Sequence, residues 1–273
     1  MAFNLLMILL TLLILSILVV VHEWGHYIAA KKVGVFVEEF SIGMGPLIFS
    51  KQGKETQFSI RAFPLGGFCK MRGEGDDEEE EKEQGETEGI LEEERIPVDP
   101  EDPRSFANKS KGQRFLILVA GAAMNIIFAF LLLIIVLMIG GANPLQALTG
   151  AAASTVKFAG AIYQSLYLLV TGQVGMNEMA GPIGMVSMVH DFYQYGLIAL
   201  MTFTALISVN LGVINLLPLP ALDGGQILII VIEKIMRRDL DPKKANMINY
   251  IGFVALMLLA VVVAVNDVMR IIG

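Results

Sequence analysis

Residues 4–28 read NLLMILLTLLILSILVVVHEWGHYI, an apolar run that ends in two histidines, a glutamate and a tryptophan. A hydrocarbon core about 30 Å thick takes about 20 residues of helix to cross, so the run predicts a transmembrane helix. A cleaved leader is the alternative, because Ala29 and Ala30 follow. MAFN, however, lacks the positive charge that opens such a leader, and the apolar run is too long for one. A retained helix is therefore expected. His22 and His26 are four apart and share one helical face. That spacing lets both imidazoles reach one Zn²⁺, with Glu23 placed to activate a bound water. At about 1.5 Å per residue from Leu5, His22 lies about 26 Å along the helix, near one end of the hydrocarbon core. Ionisable groups at such depth are costly and mark function.

Catalytic zinc usually takes three protein ligands and a water, so a third is sought. His190, in MVSMVHDFYQYG, is the only other histidine, and it is expected on the opposite side of the membrane. Asp223, in NLLPLPALDGGQ, is the better candidate. It follows another apolar run whose end lies at the depth of His22, where Pro218 and Pro220 break the helix and Gly224-Gly225 allow a tight path. Asn210 and Asn215 lie inside that run and read as helix–helix hydrogen bonds or substrate contacts. Asn215, beside the proline break, suggests an amide aimed at a substrate backbone. Asn125, in AGAAMN, reads as a packing amide among small residues.

The rest of the 273-residue chain fits a membrane protein: 55% of it is hydrophobic, too much for an ordinary soluble domain. Further spans are expected at about 115–139, 197–217 and 248–265, with 156–170 as an interfacial helix. The net charge of −7 hides a division. Residues 74–102 hold 16 acidic residues against Lys82 and Arg95, a local balance of −14, and everything else sums to +7. That acidic stretch reads as a disordered, solvated linker. Lys31, Lys32, Lys109, Lys111, Arg114, Lys234, Arg237, Arg238, Lys243 and Lys244 fall on one side of the spans. By the positive-inside rule that side is cytoplasmic and both termini face out. No nucleic-acid partner is expected. Cys69 is the sole cysteine, so no intrachain disulfide can form. Gln57, Ser59 and Arg61 alternate with Phe58, Ile60 and Ala62, the period of a half-buried strand. Residues 35–71 thus predict a small antiparallel sheet on the cytoplasmic side that dips into the lipid.

The expected fold class is an α-helical polytopic membrane protein with four transmembrane helices and a small membrane-associated β-sheet. Its units are a first span with HEWGH (1–30), the β region (31–73), the acidic linker (74–103) and a second span (104–140). An outer segment (141–195), a third span ending in LDG (196–225), a cytoplasmic connection (226–247) and a fourth span (248–273) follow.

HEWGH at 22–26, GMGP at 43–46, PLGGFCKM at 64–71, RSFANKSKGQR at 104–114, GPIG at 181–184 and NLLPLPALDGG at 215–225 occur in this order. With them the chain resembles the site-2 protease family, of the RseP/RasP type, of bacterial regulated intramembrane proteases. The resemblance implies Zn²⁺ held by His22, His26 and Asp223, with Glu23 as general base. It implies a membrane-re-entrant β region, and substrate contacts from Asn215, Pro218 and Pro220, with Asn210, Gly43 and Gly45 as further candidates. It also implies residence in the bacterial inner membrane. The implied substrate is a single-pass transmembrane protein, such as an anti-sigma factor, or a remnant signal peptide. One departure stands out. Such proteins carry one or two PDZ domains between the second and third spans, and GGANPLQALTGAAASTVK leaves no room for one.

Overall fold

The computed structural model describes residues 5–74, 102–173, 175, 181–238 and 240–272. Helix α1 (Leu5–Lys32) leads into two long antiparallel strands, β1 (Val37–Gln52) and β2 (Gln57–Met71). Six helices follow: α2 (Lys111–Ile139), α3 (Pro144–Val170), α4 (Pro182–Gln194), α5 (Leu197–Asn215), α6 (Asp223–Met236) and α7 (Pro242–Ile272). Helices α1, α2, α5 and residues Lys244–Met269 of α7 are long and apolar enough to cross a membrane. The expected four spans and small sheet are both present.

Helix α2 is the hub, packing on α1, α3, α5 and α6. Apolar attraction does little between helices in lipid, so close backbone approach has to supply the contact. Small residues provide it. A Cβ on Gly25 of α1 would overlap the Ala120 carbonyl oxygen of α2, and one on Gly212 of α5 would come within 2.9 Å of the Ala122 carbonyl oxygen. Ser208 Oγ donates to the Asn125 carbonyl oxygen at 2.8 Å, adding a polar tie between α5 and α2.

The sheet folds back on itself. Residues Glu39–Ile42 of β1 face both Gly67–Lys70 and Gln57–Ile60 of β2, while Phe49–Gln52 also pair with Gln57–Ile60. The free edge of β2 runs beside α1. Ser16 donates to the Pro64 carbonyl oxygen, and a Cβ on Gly67 would touch Val19 and the Glu23 Cγ. Trp24, Tyr27, Phe40 and Phe58 form an aromatic cluster that fastens sheet to helix. Ile48, Phe49 and Phe63 are exposed, as suits residues in contact with lipid.

The chain leaves and re-enters the acidic stretch at one place. Phe106 N–H donates to the Arg72 carbonyl oxygen, and Arg72 Nη1 lies 3.0 Å from Asp102 Oδ2. Residues 75–101, which carry nearly all of the expected disordered linker, fall outside the described residues. Glu74 does not behave as a solvated linker residue. Burial pushes its carboxyl up to about 7, with Glu23 and Asp223 near enough to add to that rise and His26 opposing it.

Three expectations need correction. The helix expected at 156–170 starts at Pro144, capped by Asn143 and Gln146, and it packs on α2 and α5. Ala151 and Ile162 share one core cluster with Ala129, Ala205 and Val209, a burial that the Lys157-bearing sequence does not advertise. The helix break expected at Pro218 and Pro220 is present, α5 stopping at Asn215. The unit expected at 196–225, however, also takes in the start of a separate helix, α6, which Asp223 opens. The connection 226–247 is consequently mostly helix. Between the second and third spans the described residues form α3 and α4, and only residues 140–143 separate α2 from α3.

Candidate metal centre

Four elements assemble the site, and each has a local reason to be there. Helix α1 carries His22 and His26 inward, both buried at 7% and 6% relative exposure. Helix α2 makes room for them at Gly121, where a Cβ would overlap His26 Nε2 and come within 2.9 Å of His22 Cε1. The turn after α5 brings Asp223. Ala221 takes a left-handed backbone at φ 68°, and Gly224 and Gly225 lie so close to Leu216, Leu217 and Leu219 that any Cβ would collide. Asp223 does not cap its own helix. Leu222 holds the cap position with no side-chain hydrogen bond, which leaves the carboxylate free to face α1. Helix α6 is held against α2 through buried Glu233, whose Oε2 lies 2.9 Å from Arg114 Nη2 and 3.6 Å from Lys111 Nζ.

His22 Nε2, His26 Nε2 and Asp223 Oδ2 converge. The two nitrogens are 3.1 Å apart, and the carboxylate oxygen is 3.1 Å from His22 and 3.4 Å from His26. Tetrahedral zinc with bonds of about 2.0–2.1 Å has ligand–ligand edges of about 3.3–3.4 Å, which this triangle approaches. The donor chemistry agrees with the spacing. His26 Nδ1 is 2.9 Å from the Ile117 carbonyl oxygen, which can only accept, so Nδ1 carries the proton. In the neutral imidazole Nε2 then offers a lone pair. Asp223 Oδ2 is buried without a hydrogen-bond donor. Electron-rich atoms packed this closely call for a cation, and the residues fit zinc.

Glu23 is half-buried, one residue from His22, and its carboxylate accepts the Cys69 backbone N–H at the edge of β2. The Cys69 thiol itself is buried, and that burial pushes its pKa up, so it acts as a packed residue. Asn215 Nδ2 lies 3.3 Å from His22 Nε2 and 3.5 Å from Nδ1, directly at the site. Asn210 is half-buried further out along α5. Pro218 is exposed in the turn, and Pro220 packs on Gly252 of α7. Gly43 and Gly45 sit where β1 bends around Phe63, at φ 86° and 83°, conformations that favour glycine. His190 pairs with Gln194 on α4, away from the triad.

Two residues escaped the sequence reading. Asn125, taken for a packing amide, is wholly buried with its Nδ2 3.2 Å from His22 Nδ1. The signal was there, since Gly121 and Asn125 are four apart on α2 and so share a face. Glu74 was counted with the linker although it lies only five residues beyond Cys69.

Comparison with known proteins gives the family. The profile of Peptidase family M50 matches residues 10–259. A relative from Clostridium acetobutylicum is 30% identical, with 96% of this chain and 97% of its own covered. The regulator of sigma-W protease RasP of Bacillus subtilis is 26% identical over 95% of this chain and 97% of its own. The zinc metalloprotease RasP of Oceanobacillus iheyensis is also 26% identical, over 95% and 98%. These alignments run over 350, 411 and 415 positions, more than the 273 residues here, so the relatives carry stretches with no counterpart in this chain. With the family profile covering most of its length, the chain belongs to Peptidase family M50 and is a zinc metalloprotease of the site-2 type.

Proposed function

We propose that this protein hydrolyses peptide bonds of single-pass transmembrane substrates inside the membrane, with His22, His26 and Asp223 holding the zinc and Glu23 as general base. The carrying observation is the convergence of three ligand atoms within 3.4 Å of one another beside Glu23, on helices long and apolar enough to span a bilayer. Bound zinc would lower the pKa of a water towards about 7 and polarise the scissile carbonyl. Glu23 takes the proton from the attacking water and delivers it to the departing amide nitrogen. Its place next to His22 on α1, with the carboxylate held by the Cys69 N–H, supports that role.

A transmembrane helix hides its carbonyls in its own hydrogen bonds and must unwind before cleavage. The edge of β2 beside Glu23 is suited to receive the unwound segment as an added strand. Asn215 orients the substrate backbone, and the Pro218–Pro220 turn and the Gly43–Gly45 bend shape the channel around it. The distribution of lysine and arginine supports a cytoplasmic position for the site, with both termini outside the bacterial inner membrane. Anti-sigma factors and remnant signal peptides are the substrate classes with this chemistry.

The test is cleavage of a tagged single-span helix by protein purified in detergent, with zinc assayed on the same sample. Glu23→Gln should abolish cutting while zinc stays at about one per chain, and a chelator should abolish both. Activity that survives Glu23→Gln would refute the assignment. Proline placed along residues 65–69 should lower cleavage with zinc retained; unchanged cleavage would remove the strand-addition step.

A further inference from the structure

Helix α2 contributes no metal ligand, yet it touches the far side of both histidine rings. Ile117, Gly121 and Asn125 are spaced four apart and form one stripe on the face towards α1. At one end the Ile117 carbonyl oxygen holds His26 Nδ1 at 2.9 Å. In the middle Gly121 leaves space for both rings. At the other end the Asn125 amide lies 3.2 Å from His22 Nδ1. We propose that Asn125 selects the metal-binding tautomer of His22, its Oδ1 accepting the Nδ1–H and so leaving the Nε2 lone pair for zinc. Asn125 is thus a positioning residue. The inference rests on the metal centre proposed above.

Three observations carry it. His22 Nε2, not Nδ1, faces His26 Nε2 and Asp223 Oδ2, so a metal-binding His22 must keep its proton on Nδ1. An amide nitrogen opposite that N–H would set donor against donor, whereas turning the amide by half a rotation sets its oxygen there. The turn sacrifices nothing on the other side, because the Asn125 Oδ1 is the amide atom that has no hydrogen-bond partner. Either orientation leaves one amide atom alone, and only one orientation bonds to a metal-binding His22. The residue is also held in place: it is fully buried, its carbonyl accepts from Ser208 Oγ, and Gly212 backs onto its Cβ. Metal-bound histidines commonly donate their second N–H to an acceptor that orients the ring. Here α2 supplies both acceptors, one from its backbone and one from a side chain.

The test uses the full-length chain in detergent and three readouts: zinc affinity by competition with a chromogenic chelator, the visible spectrum of the Co²⁺-substituted protein, and thermal unfolding without metal. Asn125→Leu keeps the volume and removes the acceptor. It should lose about ten- to hundredfold in zinc affinity and alter the cobalt spectrum, with unfolding of the metal-free protein little changed. Asn125→Asp keeps an oxygen towards Nδ1 and should retain wild-type affinity. Asn125→Ala, which is smaller, repeats the reading if leucine perturbs packing. Zinc binding by the leucine and alanine variants equal to wild type would overturn the inference and leave the metal centre standing. Loss of affinity in Asn125→Asp as large as in Asn125→Leu would overturn it as well. A wild-type protein that binds no zinc would overturn the metal centre, and this inference with it.

Discussion

Helices α1 and α7 are both membrane spans of comparable hydropathy, yet they are held very differently. In the most apolar window of α1, 28% of the residues are buried, against 11% for α7. Helix α1 packs on α2, both strands, α4 and α5. Helix α7 is held at separated points. Asp267 Oδ1 and Oδ2 accept the N–H groups of Gly181 and Gly184, at 3.1 and 2.8 Å, at the start of α4, and Gly252 abuts Pro220. The difference teaches that hydropathy sets which segments enter the bilayer, while small and polar residues decide which of them join the core.

Substitutions should break this contrast in a graded order. Gly121→Val on the α2 face towards α1 should have the largest effect. Its side chain would occupy the space of both imidazoles, so zinc affinity should fall by more than the about 100-fold that loss of an outer hydrogen-bond partner can cost. Chelator competition checks it. Glu233→Ala, which leaves the half-buried Arg114 without its partner, should lower stability by about 3 kcal/mol in detergent unfolding. Asp267→Ala frees the N-terminus of α4 and the C-terminal end of α7, and should cost about 1–3 kcal/mol. Leu258→Val on the exposed face of α7 (63% exposed) should stay within about 0.5 kcal/mol. If Asp267→Ala proved as damaging as Glu233→Ala, α7 would be part of the core after all, and the contrast would fail.

The same contrast explains what could be read in advance. Depth along a membrane helix follows from counting residues, so His22, His26 and Asp223 could be placed at one level before any coordinates. Rotation about the helix axis depends on neighbours, which a single sequence does not supply. Asn125 sits among Gly121, Ala122 and Ala123, and those neighbours suggested packing alone. Only the placement of α2 against α1 turns its amide towards His22. The start of helix α3 is illegible in the sequence for a related reason. Its first turns are rich in alanine and carry little hydrophobic signal, and the neighbouring α2 stabilises them. Glu74 was misplaced because composition averages over a window, and the acidic residues after it outweighed its own position.

The paired ends of the acidic stretch have a practical consequence. Since Arg72 and Phe106 are joined through the backbone, the described chain on either side of residues 75–101 meets in one closed neck. Loop-closure entropy changes by only about 0.6 kcal/mol for each doubling of length. The neck therefore works as a port. A short glycine–serine bridge or a whole fluorescent protein could be spliced in there without moving His22, His26 and Asp223, which would supply a reporter on the enzyme.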